Sequence, residues 1–109
     1  MNTQNTTPNQ NESQTYVCTA VPFELGKTVM TQGVANLLET NIGANLHIYL
    51  MRHQSGDWGD MPIEDKVTND ESTKSDGRIM SSYQFCGEKI WIITEWNRSV
   101  TTVLLPSEY

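Results

Sequence analysis

Long apolar runs are missing from this chain of 109 residues. The longest mainly apolar stretch, IWIIT, falls far short of the ~20 residues that a membrane-spanning helix requires, so no spanning segment is expected. The opening MNTQNTTPNQ has neither a basic nor an apolar region, which argues against a signal peptide. Cysteine is scarce as well: Cys18 and Cys86 stand far apart and form no C-x-x-C pair. Paired, they could tie the start of the domain to a later hairpin, but the default is free thiols in a cytoplasmic protein. In that setting the Asn-x-Ser/Thr triplets at Asn5, Asn11 and Asn97 carry no glycosylation meaning. No G-x-G-x-x-G or G-x-x-x-x-G-K-[ST] string occurs, which argues against a nucleotide enzyme of the usual kinds and predicts no cofactor.

Positive charge is in short supply too. Lys and Arg number 7 against 13 Asp and Glu, for a formal net charge of −6. Such a balance repels phosphate backbones and anionic lipid, so direct nucleic-acid or membrane binding is not expected, whereas a protein partner with a basic surface is. The excess is concentrated in Asp57, Asp60, Glu64, Asp65, Asp70, Glu71 and Asp76, against only Lys66 and Lys74. That segment reads either as a solvated helix face or as a contact surface.

What is present outlines one domain. Residues 1–16 are Asn, Gln, Thr and Ser with almost no apolar side chain, and read as a disordered polar tail. Residues 17–109 are enough for one two-layer core. In VPFELGKTVM, Phe23, Leu25 and Val29 share a parity and predict a short edge strand. Thr31 can cap a helix whose stripe is Val34, Leu37 and Leu38 and whose stop is Gly43. A second helix carries Leu46, Tyr49, Leu50 and His53 on one face, with Gly56 at a left-handed cap. A third starts at Asp60 and Pro62, has Ile63 and Val67 as its only apolar residues, and ends near Gly77. RIMSSYQF, KIWIITEW and VTTVLL are strands, joined by turns at Gly87 and Asn97. The order is β-α-α-α-β-β-β: an α+β fold, with an antiparallel sheet of three C-terminal strands, an N-terminal edge strand, and two or three short helices on one face.

Four stretches, SGDWGD (Ser55 to Asp60), NDES (Asn69 to Ser72), DGRIMSSY (Asp76 to Tyr83) and WIITEWNRSVTTVLLPSEY (Trp91 to Tyr109), resemble a family of short bacterial proteins encoded on plasmids, integrative elements and phages. Its members are usually labelled plasmid-related protein or type I restriction endonuclease subunit M. The resemblance runs from about Phe23 to Tyr109 and implies an accessory protein of a mobile genetic element. It implies no particular activity. The methyltransferase label does not suit this chain, which is several-fold too short for a methyl-donor domain and contains no Pro-Pro. Where the family commonly reads TEADRSVTT, this chain reads TEWNRSVTT, so Trp96 and Asn97 depart from the pattern.

His53 is the natural general-base candidate, with Asp57 or Asp60 to orient it; the alternative is a half-buried histidine with one ring nitrogen satisfied. His53, Asp57 and Asp60 could converge on a metal, but their spacing at a helix end is a common accident, and no metal site is assigned. Cys86 has no histidine near it in sequence. Glu95 and Arg98 flank a tight turn and predict a pair that fixes the hairpin. Trp58 can plug the core beneath its loop, with Gly56 and Gly59 permitting the turn and Asp57 and Asp60 capping backbone N–H groups, or stand out as an interface anchor. The leading expectation is a non-catalytic acidic accessory protein that binds another protein, for example a host defence component, through Asp57, Trp58, Asp60, Glu64, Asp65, Trp96 and Arg98. The alternative is a small metal-assisted hydrolase built on His53, Asp57, Asp60 and Glu95. An open sheet edge would also allow a homodimer.

Overall fold

The computed structural model describes residues 15–109. The tail expected over residues 1–16 lies outside the described residues up to position 14. Its last member, Tyr16, belongs instead to the folded domain, because its hydroxyl donates to Asp70 at 2.8–2.9 Å.

The elements are β1 (Lys27–Met30), α1 (Gln32–Thr40), α2 (His47–Gln54), α3 (Ile63–Thr73), β2 (Ile79–Phe85), β3 (Glu88–Thr94) and β4 (Val100–Leu104), closed by a 3₁₀ turn at Pro106–Glu108. The strands form one sheet in the order β1-β4-β3-β2. The fold is α+β, in the expected order of elements. β2, β3 and β4 form an antiparallel meander, pairing Ile79 with Thr94 and Trp91 with Leu104. The N-terminal strand takes an edge, as expected, and its direction makes the sheet mixed. β1 runs parallel to β4, Lys27 beside Val100 and Met30 beside Val103. The reason is topological: the three helices intervene between β1 and the meander, so β1 can join from either direction and takes the free edge of β4.

β1 also begins later than its apolar parity predicts. Phe23 and Leu25 precede it in irregular chain and enter the core directly, Phe23 packing with Trp58 and Ile79. α1 and α2 cover the sheet face that carries Tyr83, Phe85, Ile90, Ile92 and Val103, burying Val34 and Leu46 against it. The stripe predicted for α2 holds: Leu46 and His53 are buried, and Tyr49 and Leu50 pack against the core. α2 ends in a Schellman arrangement. The Asp57 and Gly56 amides donate to the Arg52 and His53 carbonyls, and Gly56 takes the required left-handed φ of 87°.

α3 departs from expectation. Val67 is 48 % exposed, and the buried residues of this helix are polar: Asn69, Asp70 and Thr73. The helix lies along the outer edge of β2 rather than over the face. There Asn69 imitates a neighbouring strand, donating from Nδ2 to the Met80 carbonyl at 2.7 Å and accepting the Met80 amide at 3.1 Å. One rung further, the Ser82 amide donates to the Trp58 carbonyl, and the Ser82 carbonyl accepts the Asp60 amide. Most of an exposed sheet edge is thereby closed. The N-terminus of α1 is also served from a distance. Thr31 makes no side-chain cap of its own; Glu108 accepts the Gly33 amide at 2.8 Å and the Thr31 hydroxyl.

Candidate functional site

The stretch from His53 to Asp60 separates into a sealed part and an open part. His53 is fully buried, its ring edge-on to Phe23 and Trp58. Its Nδ1 lies 2.5 Å from Ser81 Oγ and its Nε2 lies 2.9 Å from Thr94 Oγ1. Thr94 Oγ1 is 2.7 Å from Thr101 Oγ1, which donates to the Leu25 carbonyl at 2.7 Å. The carbonyl can only accept, and this fixes the direction of the relay. Thr101 gives its proton to Leu25, Thr94 gives its proton to Thr101, and His53 must carry a hydrogen on Nε2. Ser81 then donates to Nδ1. Burial pushes the imidazole pKa down to about 3. Both ring nitrogens are therefore used inside the core, where half-burial with one satisfied nitrogen was expected. Among the described residues no carboxylate reaches the ring, so the site expected from His53 with Asp57, Asp60 and Glu95 does not form. Among the described residues, no three His, Cys, Asp or Glu side chains gather as a metal would need. Cys18 and Cys86 are free thiols.

Trp58 is also inside, at 1 % exposure, so it cannot be a contact residue. The correction has a specific cause: its indole N–H donates to Asp70 Oδ1 at 2.8 Å. Asp70, counted in sequence among the surface acids, is 2 % exposed and collects further bonds from Tyr16, the Thr19 amide and Cys18. Burial raises its pKa, but these donors outweigh burial and the net shift is downward. Tyrosine, tryptophan and a backbone amide converging on one buried carboxylate left no signal in the local sequence; the partners lie 12 to 54 positions away.

Arg98 is likewise committed to structure. Its guanidinium donates to the carbonyls of Ser72 in the last turn of α3 and of Ser75 and Gly77 just after it, and to those of Glu95 and Trp96. Helix C-termini leave such carbonyls without partners, and a cation there suits the dipole. The expected Glu95–Arg98 pair across the turn forms through the Glu95 main chain, whose carbonyl accepts the Arg98 amide at 2.9 Å and its guanidinium at 3.1 Å, while the Glu95 carboxylate faces Arg78 at 3.4 Å. The left-handed turn residue is Arg98, at φ 59°, rather than Asn97. Trp96 is 58 % exposed and lines a shallow cleft of about 350 Å³ with Pro22, Phe23, Lys74 and Asp76.

The open part of the stretch lines a second cleft of about 350 Å³, bounded by Tyr49, Arg52, Asp57, Gly59, Asp60, Ser82, Tyr83 and Gln84. Gly59 is required at its rim: at φ 74° it passes so close to β2 that a Cβ would collide with the Ser82 carbonyl and the Tyr83 ring. Arg52 lies over the Tyr83 ring at 4.6 Å and bonds Asp57 at 2.7 Å. That bond raises the pKa of the guanidinium and lowers that of the carboxyl. Tyr83 donates to the Asp57 carbonyl, and burial pushes its phenol up to about 12. Asp57 also accepts the Gly59 amide, as a capping residue was expected to. Asp60 does not cap: the N-cap position of α3 is Pro62, with no side-chain cap. The Asp60 carboxylate has no partner among the described residues and faces solvent, as do Glu64 and Asp65 in the first turn of α3.

Comparison with protein-family models, curated proteins and solved structures finds no match to this chain. The site therefore rests on its own geometry. Of the seven expected contact residues, Asp57 and Asp60 meet in one cleft, Glu64 and Asp65 are exposed on α3, Trp96 and Arg98 line the other cleft, and Trp58 is withdrawn into the core.

Proposed function

We propose that this is a non-catalytic protein that binds a basic surface of another protein through the cleft of Asp57 and Asp60 and the adjoining first turn of α3. The observation that carries the reading is the state of its charges. Asp60, Glu64 and Asp65 lie on the surface without ion-pair partners among the described residues. They would gain most from a cationic partner, whose approach they would also steer. No helix of the described residues is long and apolar enough to cross a membrane. The resemblance to proteins of plasmids, integrative elements and phages extends the proposal to an accessory factor acting in the cytoplasm, with a host defence component as target. Trp96 is a candidate second contact, being a large exposed aromatic beside a cleft.

The test compares the wild type with an Asp60→Asn, Glu64→Gln, Asp65→Gln variant. Each is immobilised to capture protein from the native host, and the captured protein is then purified for affinity measurement. The expected result is binding that weakens at least tenfold in the variant and falls steeply with salt. Equal affinity for both forms, or no protein retained by either, overturns the reading.

A further inference from the structure

We infer that two copies of this chain join through the outer edge of β1, in an antiparallel register that brings Lys27 of each copy to Glu108 of the other. Neither residue belongs to the acidic surface proposed above, and the two proposals stand or fall separately. The sheet has two edges. That of β2 is occupied by the chain itself, with Asn69 on Met80 and with Trp58 and Asp60 on Ser82. That of β1 is not. The Lys27 amide donates to the Ser99 carbonyl and the Thr31 amide to the Val103 carbonyl, so residues 27, 29 and 31 turn their main chain inward to β4. Thr28 and Met30 therefore turn theirs outward, and no partner among the described residues meets their N–H and C=O groups. Proline, a bulge or a lysine ordinarily blunts such an edge, and of these β1 has only Lys27.

Main-chain geometry then selects one register. A twofold axis brings two identical edges together antiparallel, with outward groups opposing outward groups. An axis through Thr28 would set Met30 against Gly26, which leaves the extended conformation at φ 67°. An axis through Met30 would set Thr28 against Gln32, already the first residue of α1. Only an axis through Val29 lets Thr28 and Met30 of one copy exchange bonds with Met30 and Thr28 of the other. Val29 then meets its own copy, and Lys27 stands directly opposite Thr31 of the second copy, on the same face of the joined sheet. This register also matches charge, because the Thr31 hydroxyl is bonded to the Glu108 carboxylate. Lys27 and Glu108 both lack ion-pair partners among the described residues. Pairing the edges brings each unpaired cation to an unpaired carboxylate, once on either side of the axis. The two four-stranded sheets become one continuous sheet, with the acidic clefts beside β2 at its far ends.

Edge pairing over so short a strand buries well under the ~800 Å² per partner of a standard interface, so the dimer is weak and is sought at high concentration. The full chain is followed by sedimentation equilibrium and by amide NMR over one dilution series, from about 1 mM to about 10 μM. Expected is a monomer–dimer equilibrium with a Kd on the order of 100 μM, weakened by salt, with shifts on dilution centred on Thr28, Val29 and Met30. Thr28→Pro removes an amide that the monomer leaves unused, and should weaken association at least tenfold while the monomer's circular dichroism stays the same. Lys27→Glu should weaken it about tenfold by setting carboxylate against carboxylate, whereas Lys89→Glu, the same change of charge on exposed β3 residue 89, should have little effect. Should Thr28→Pro disturb the fold, Lys27→Glu, at an exposed position, still decides the matter. A monomer at every concentration, dilution shifts centred on another surface, or equal responses to Lys27→Glu and Lys89→Glu overturns the inference.

Discussion

Lowering the pH should unfold this domain through His53 before its carboxylates contribute. The ring is fully buried, hydrogen-bonded at both nitrogens, and held neutral, with its pKa pushed from 6.5 down to about 3. In the unfolded chain the same imidazole titrates near 6.5. Below that value the unfolded state binds a proton that the native state refuses, so stability falls as pH falls, and the loss stops only near the folded value. The slope is about 1.4 kcal/mol per pH unit, giving roughly 2.5 kcal/mol between pH 6.5 and 4.5 and about 4–5 kcal/mol over the whole shift. Against a total stability of about 5–15 kcal/mol this is a large share. The depressed carboxylates, Asp57, Asp70 and Glu108, act in the same direction but only below their unfolded values, near pH 4, so the interval from 6.5 to 4.5 isolates the histidine. Urea unfolding followed by circular dichroism at pH 7, 5.5 and 4.5 reads the slope directly. His53→Gln, which cannot take up a proton, should be less stable at neutral pH yet nearly flat over that interval. Equal slopes for the two proteins, or an NMR titration showing the folded His53 ring protonating near 6.5, would refute the reasoning.

Asp70→Ala should destabilise the fold by about 3 kcal/mol or more, because it strands the buried Trp58 N–H together with Tyr16 and the Thr19 amide; chemical denaturation measures it, and a loss under 1 kcal/mol would contradict the role given to this carboxylate. Arg98→Ala should lose about 2 kcal/mol or more, since it removes the charged donor from the carbonyls at the C-terminal end of α3. Arg98→Gly should recover about 1 kcal/mol of that loss, because φ is 59°. Arg98→Lys should rescue little, one ammonium being unable to reach five carbonyls. Glu108→Gln should speed amide exchange at Gly33 while leaving the rest of the sheet protected, as the carboxylate is what holds that N–H. Its depressed pKa predicts the same fraying in wild type as pH falls below the ordinary carboxylate range.

Element order and most turns were legible because they depend on neighbours in sequence. The alternation of Ile79, Ser81, Tyr83 and Phe85, the Cys86-Gly87 turn and the left-handed Gly56 each need only a few residues to declare themselves. Two kinds of feature were not legible. Strand direction depends on which edge a distant segment finds, so β1 gave no sign of pairing parallel to β4. The docking of α3 depends on bonds that polar side chains make to distant main chain. Asn69 and Asp70 look like surface residues by type, and only the positions of Met80 and Trp58 turn them inward. The same limit applied at the site. The sequence singled out the acids, but it could not sort Asp70, which organises the core, from Asp60, which is left free.

That sorting sharpens the electrostatic argument. Had all seven acids from Asp57 to Asp76 been a uniform face, their repulsion would be spread along a helix and would resemble ordinary solvation. Instead Asp70 is spent inside, Asp57 is paired with Arg52, and Glu71 is paired with Lys74. The acids left without an ion-pair partner at the N-terminal end of α3 are Asp60, Glu64 and Asp65, beside the cleft that Asp57 and Asp60 line. A partner that merely neutralised the chain's net charge could sit anywhere along α3. One recognised through the cleft must enter at this end, and its affinity should respond to Asp60→Asn far more than to Glu71→Gln, although each removes one charge. Equal responses to the two substitutions would mean that overall charge, rather than the cleft, is being recognised.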